Sequence, residues 1–264
     1  MSGEWEEIVG SDPYGRLSLS GHQMIVFGAA SGIGRASSLL LAARGAQVVL
    51  ADVGRAGLAE TAGVIRQAGG VCVTALCDVT DDEAVESLMT PYDSETPLHA
   101  VINCVGITGR NGVPVDQIEG ADFRQVVEIN LAAAFTILKA AVPRLTKRRY
   151  GRILMVSSVA GKDGNPGMAS YSASKAGLIG LVKSVAKDVA VHGVTVNALA
   201  PATIRTPMVD TLAPAQLALN LSKVPMQRLG RLSEAAEMIA WAVSPAASFT
   251  TGFTFDLSGG RATY

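Results

Sequence analysis

Two side chains one helical turn apart suggest the first chemistry. Tyr171-Ser172-Ala173-Ser174-Lys175 puts a phenol and an amine at i and i+4, on one face of an expected helix. An unperturbed tyrosine hydroxyl titrates near pKa ~10. A neighbouring ammonium favours the phenolate and lowers that value. A phenol tuned in this way exchanges a proton with an alcohol or carbonyl near neutral pH. The pattern alone is more often a surface pair, so its meaning depends on company. Ser157-Ser158 ends one apolar run, and Asn103 and Gly106 flank the end of another. Asn130 falls inside a helix-length segment, a poor place for Asn unless its amide has a task. A backbone bond or a buried water is the plain alternative there.

A second group of residues suits phosphate. Gly28-Ala29-Ala30-Ser31-Gly32-Ile33-Gly34 lies between an apolar run and a helix-length segment. Glycines there permit a tight turn, a close approach of pyrophosphate to the backbone, and close helix–strand packing. The helix N-terminus adds unpaired N–H groups and a positive dipole end. The spacing is G-x-x-x-G-x-G rather than G-x-G-x-x-G. Asp52 ends the next apolar run, 18 residues after Gly34. A carboxylate at that place accepts hydrogen bonds from the adenosine ribose hydroxyls and repels the extra phosphate of NADP, which favours NAD. Against this, Asp52 suits a helix N-cap, and Arg35 and Arg55 are cations that suit such a phosphate. Asp78-Val79 would contact adenine, unless Asp78 closes a turn.

These groups need a scaffold. Apolar runs alternate with helix-length segments, the pattern of βαβ units in a parallel sheet buried on both faces. Strands are expected at 24–27, 48–51, 71–76, 100–102, 153–156, 194–199 and 253–255, and helices at 31–44, 55–68, 123–147 and 170–191. Gly45 and Gly69-Gly70 suit helix ends. Thr80 with Glu83 reads as a capping box, and Pro143 as a kink or break in the long helix. The expected fold is α/β: a single-domain, doubly wound, Rossmann-type sheet of about seven parallel strands with helices on both faces. It spans 19–264 after a loose segment, 1–18. Ligands bind such sheets beyond the carboxyl ends of the strands, where Asn103, Gly106 and Ser158 fall.

Composition narrows the class further. Hydrophobic residues at 48% against charged residues at 17% exclude a disordered chain. A net charge of −1 implies no general attraction to nucleic acid or an acidic membrane. No run of about 18 wholly apolar residues suggests a membrane span. Met1–Gly10 carries three glutamates and no basic start, unlike a secretory signal. Cys72, Cys77 and Cys104 read as small buried residues in a reducing, cytoplasmic compartment. His22, His99 and His192 lie far apart and form no metal-ligand pattern.

Taken together, the glycine turn, Asp78, Asn103-Cys104-Val105-Gly106, Asn130, Ser158, Tyr171, Lys175 and Pro201–Thr206 resemble the short-chain dehydrogenase/reductases. The resemblance runs from about Leu19 to the C-terminus. The family's serine lies 13 residues before its tyrosine, which selects Ser158 over Ser157. The resemblance implies hydride transfer on NAD. Tyr171 would be the acid/base, and Ser158 would hydrogen-bond the reacting oxygen. Lys175 would hold the nicotinamide ribose and lower the tyrosine pKa, and Asn130 would support a water leading to Lys175. Pro201, Ile204 and Thr206 belong to the cofactor segment, with Ile204 and Thr206 against the carboxamide. Departures are Phe27 where Thr is usual, Cys104-Val105 where Asn-Ala is usual, and Ala202 where Gly is usual.

Three segments, Gly161–Pro166, Pro201–Pro207 and Phe255–Tyr264, are similar to a subgroup, the 2-keto-3-deoxy-sugar-acid dehydrogenases of L-rhamnonate and L-fuconate breakdown. That similarity implies oxidation of a C4 hydroxyl. A sugar acid needs a cation for its carboxylate, and planar Arg suits one. The acid's hydroxyls need polar groups as well, and Arg205, Lys162, Asn165 and Arg148 are candidates by type, Arg205 first. Met208–Pro225 would be the lid in this family. The alternatives are a 3-oxoacyl-carrier-protein reductase, a polyol or hydroxysteroid dehydrogenase, and a non-catalytic dinucleotide-binding sensor. The family resemblance also implies a homotetramer, with Gly259–Tyr264 reaching a neighbouring subunit.

Overall fold

The computed structural model describes residues 17–93, 97–205, 218 and 221–264. The expected loose segment 1–18, apart from Leu17 and Ser18, lies outside the described residues, as does Thr206. Strands β1 (Gln23–Phe27), β2 (Gln47–Asp52), β3 (Val71–Leu76), β4 (Ala100–Asn103), β5 (Gly151–Val156), β6 (Val194–Pro201) and β7 (Thr254–Leu257) form one sheet. Its order is β3-β2-β1-β4-β5-β6-β7, and every pairing is parallel.

Side chains alternate across the sheet because the strand repeat is two residues. Ile25, Phe27, Val101, Ile153 and Met155 face one core, with buried residues of α3 (Asp82–Met89), α5 (Ala133–Lys147) and α6 (Ala169–Val189). Met24, Val26, Ile102, Leu154 and Val156 face the other, with α1 (Gly32–Ala43), α2 (Arg55–Gln67) and α7 (Leu232–Ala242). Both faces are covered, so the strands read as continuous apolar runs. The chain order reverses between β1 and β4, and the crevice beyond their carboxyl ends is where such sheets bind ligands.

Two local expectations are corrected. The cap of α3 is Asp81, not Thr80: its carboxylate accepts the Glu83 and Ala84 N–H groups at 2.9 and 3.1 Å. Thr80 is instead tied to Asp78. The long helix breaks at Asn130 rather than at Pro143. It comprises α4 (Gly120–Val127), a π-helical turn at Glu128–Ala132, and α5. Pro143 sits inside α5. It and Lys139, whose carbonyl the missing amide would bind, both lie on the exposed face. The loss therefore costs less there than in a buried stretch.

The run Gly120–Lys147 is long and apolar enough by composition to cross a membrane. In the fold, Ala134, Ile137, Leu138, Ala141 and Leu145 pack it onto the sheet.

Candidate active site

The turn after β1 is built for close backbone approach. A Cβ on Gly34 would stand 2.1 Å from the Gly28 carbonyl oxygen, so only glycine lets α1 start against the strand end. Ser31, the N-cap of α1, makes no side-chain cap bond, and the first turn holds no acidic residue. Its N–H groups and positive dipole end face the turn uncompensated, as an anion site requires.

Asp52 stands beside this turn at the end of β2. Its Oδ2 accepts the Ala30 N–H at 3.0 Å and its Oδ1 the Gly54 N–H at 2.8 Å. An ionised carboxylate has further acceptor sites on each oxygen, so Asp52 is oriented yet still able to bind hydroxyls. Arg35, a cation near the turn, is held by Glu60 at 2.7 Å and by Thr61 at 3.1 Å. Asp78 closes a turn, accepting the Thr80 N–H and hydroxyl at 2.9 and 2.7 Å, which hold its carboxyl below the usual range. Val79 is buried in the core. This donor set fits a dinucleotide: free helix N–H groups for pyrophosphate and a fixed carboxylate where a ribose lies.

Beyond β4 and β5 the polar groups lock to one another. Asn103 Oδ1 accepts the Val105 N–H at 3.0 Å. The π turn directs Asn130 inward, where it is fully buried. Its Oδ1 accepts the Ile107 N–H, and its Nδ2 donates to the Ile107 carbonyl, both at 2.8 Å. The same Nδ2 donates to Ser174 Oγ at 3.0 Å. Asn130 therefore clamps the loop after β4 to α6; π turns recur at functional sites for such reasons. Lys175 Nζ donates to the Val156 carbonyl at 2.8 Å, and Ser157 Oγ donates to the Lys175 carbonyl at 2.9 Å. Gly106 leaves room for these groups, since a Cβ there would stand 3.0 Å from Lys175 Nζ. Ser158 Oγ accepts the Ala160 N–H at 3.1 Å and lines the same cavity as Tyr171.

The expected direction of the tyrosine pKa is corrected. Burial pushes the Tyr171 phenol above its ordinary value, and the opposing influence is the Ser158 hydroxyl. Lys175 Nζ lies 5.8 Å from the phenol ring centroid and is bound to a strand carbonyl instead. Burial also lowers its own pKa, to about 8. The amine is thus still mainly protonated at neutral pH.

Ser158, Tyr171 and Lys175 open into one cavity of about 780 Å³, whose lining also includes Ile33, Gly106, Asn165, Pro201 and Ile204. Arg205 is exposed and is not part of that lining. Lys223 and Arg261 are cations that do line it. Lys162 is committed elsewhere, to Asp256 at 2.9 Å. Arg148 lines a cavity with His22 and His99 at the opposite end of the sheet. Arg261 was missed as a site residue because its contact, Asn165, is 96 residues away. Within this chain Tyr264 is exposed, and its Oη donates to the Lys162 carbonyl at 2.5 Å. Cys72, Cys77 and Cys104 are free thiols, and burial raises the Cys104 thiol to about 12.

The chain belongs to the short-chain dehydrogenase/reductases, oxidoreductases acting on CH–OH groups. Residues 28–262 match the family model described as enoyl-(acyl carrier protein) reductase. It is similar to the 2-dehydro-3-deoxy-L-rhamnonate dehydrogenase (NAD(+)) of a Sphingomonas species, 42% identical over 93% of this chain and 97% of the relative. It is also similar to the 3-oxoacyl-(acyl-carrier-protein) reductase of Escherichia coli, 36% identical over 92% and 98%. Among solved structures, an NAD+-bound xylitol dehydrogenase superposes with a TM-score of 0.85 at 30% identity, over 92% of this chain and 99% of that one.

Proposed function

We propose that the protein oxidises the C4 hydroxyl of a 2-keto-3-deoxy sugar acid, with NAD as the cofactor. The observation that carries this reading is the cavity itself: Ser158, Tyr171 and Lys175 share its lining with an arginine, Arg261. The 42% identity to a dehydrogenase of such an acid supports it.

Bound NAD would accept the hydride. Gly28, Ser31, Gly32, Ile33 and Gly34 would hold its pyrophosphate, and Asp52 its adenosine ribose. The peptide groups at Asp78, Val79, Asn103 and Gly106, and the segment Pro201–Thr206, would line the rest. Tyr171 Oη takes the hydroxyl proton, and Ser158 holds the reacting oxygen. The Lys175 ammonium would hold the ribose and would favour the phenolate as that proton moves. Asn130 is a positioning residue, keeping the loop after β4 fixed against α6.

Reduction of 3-oxoacyl thioesters is the second reading, favoured by the 36% identical relative. Asp52 speaks against it, because a carboxylate beside the ribose repels the phosphate of NADPH. We further place the protein in the cytoplasm, as three free thiols suit. We also expect a homotetramer, for which exposed Phe123 and Phe135 offer apolar surface.

The test is nucleotide reduction across 2-keto-3-deoxy-L-rhamnonate, free polyols and 3-hydroxyacyl thioesters, with NAD and NADP in parallel. The expected result is a kcat/KM for the sugar acid with NAD about a hundredfold above the others. Faster turnover of thioesters with NADP would overturn the reading.

A further inference from the structure

The end of the chain forms part of the cavity, and it carries a guanidinium there. Arg261 follows β7 and its side chain is only 13% exposed. Its Nη2 donates to Asn165 Oδ1 at 2.5 Å, and its Nε lies 3.8 Å from Asp163 Oδ2. The second distance is too long for a hydrogen bond, so Asp163 orients the group without occupying its donors. Nη1 makes no hydrogen bond among the described residues.

The backbone around Arg261 is fastened on both sides. Ser258 Oγ accepts the Ala262 N–H at 3.1 Å and donates to the Ala262 carbonyl at 3.2 Å. Further on, the Tyr264 ring covers Lys162 Nζ at 4.7 Å, beside the Lys162–Asp256 ion pair. An arginine held at both ends of its loop is a preorganised fork, and a guanidinium fork binds a carboxylate through two parallel N–H bonds. The two other cations of the cavity differ. Lys175 donates to the Val156 carbonyl and is assigned to the cofactor side, and Lys223 is an exposed amine on a flexible stem.

We propose that Arg261 is the carboxylate ligand of this cavity and decides for acids over neutral alcohols of the same shape. Asn165 is then a positioning residue: its amide oxygen serves Arg261 rather than the substrate. The inference rests on the sugar-acid reading above and names the group that selects that class.

The test compares the wild type with Arg261→Gln, Arg261→Lys and Lys223→Gln on 2-keto-3-deoxy-L-rhamnonate and its methyl ester, with NAD affinity measured by titration and folding by thermal melting. Losing a charged hydrogen-bond pair raises KM for the acid about ten- to a hundredfold in Arg261→Gln. Arg261→Lys, which keeps the charge but not the fork, falls between. In both variants, kcat/KM for the ester and NAD affinity stay at the wild-type values, and the melting curves show a cooperatively folded protein. An unchanged KM for the acid, an equal loss on acid and ester, or a loss confined to Lys223→Gln would overturn the assignment. A wild type that ignores the sugar acid altogether would instead overturn the substrate reading, and this inference with it.

Discussion

Titratable side chains gather at both ends of the sheet. At the N-terminal ends of the strands, His22 precedes β1, His99 precedes β4 and Tyr150 precedes β5. The two imidazoles stack at 4.5 Å, with Tyr150 edge-on to His99 and Arg152 over the Tyr150 ring. These groups mostly meet one another and the backbone: His99 Nδ1 accepts the Gln23 N–H at 3.0 Å, and Arg152 donates to the Gly151, Ser244 and Gly193 carbonyls. At the C-terminal ends, Ser158, Tyr171 and Lys175 are equally crowded, but they open on a cavity beside a glycine turn and the N-terminus of α1. Burial of ionisable groups is therefore common to both ends and marks neither as a site. What separates them is where the helix dipoles point and how much space adjoins them, about 780 Å³ at the C-terminal ends against about 340 Å³ at the other. A parallel sheet with right-handed crossovers puts helix N-termini beyond its carboxyl edge only.

The comparison breaks most visibly at Tyr171. Tyr171→Phe should lower kcat by about 10²–10⁴-fold while NAD affinity, followed by titration, is kept. Survival of turnover would remove the phenol from its role.

Lys175→Met comes next, with a loss of about 10²-fold. It should also stabilise the fold. The buried amine titrates at about 8 against 10.5 ordinarily. Between those values the unfolded chain binds more protons, so this group's contribution rises with pH and is least favourable below about 8. Denaturant unfolding at pH 7 should show a gain of about 1–3 kcal/mol; a loss would mean the amine is not a stability cost.

Asn130→Ala strands the Ile107 N–H and carbonyl. An effect of about 10–100-fold on kcat, with about 1–3 kcal/mol of stability lost, is expected from kinetics and chemical unfolding.

The smallest effect on turnover belongs to the other end. His99→Gln should leave kcat/KM within about twofold. Burial and the neighbouring His22 lower His99 to about 4. The unfolded chain binds more protons between that value and 6.5, so stability is full above 6.5 and is lost as pH falls toward 4. The variant should flatten that acid limb in melting curves, and an unaltered limb would show that His99 does not set it.

Much of this was legible before any coordinates. The strand runs matched to within two residues or so because both sheet faces are covered and the runs are uniformly apolar. Tyr171 and Lys175 were paired by helical spacing, Ser157-Ser158 stood out by its place after β5, and the family resemblance selected Ser158 of the two. The break at Asn130 was not legible: a π turn carries no composition signal, and Pro143 offered a stronger one. Nor was the cavity's cation, since proximity to the cofactor segment favoured Arg205.

By itself, then, the amino-acid order determined the layered sheet, the glycine turn and the helix that pairs Tyr171 with Lys175, because each is written in periods of two to four residues or in a local turn. Only the tertiary structure decided that Arg261 lines the cavity, that Lys162 is spent on Asp256, and that burial raises the Tyr171 phenol. Those facts depend on which distant segments pack together and on how much water they exclude, and no local spacing encodes either.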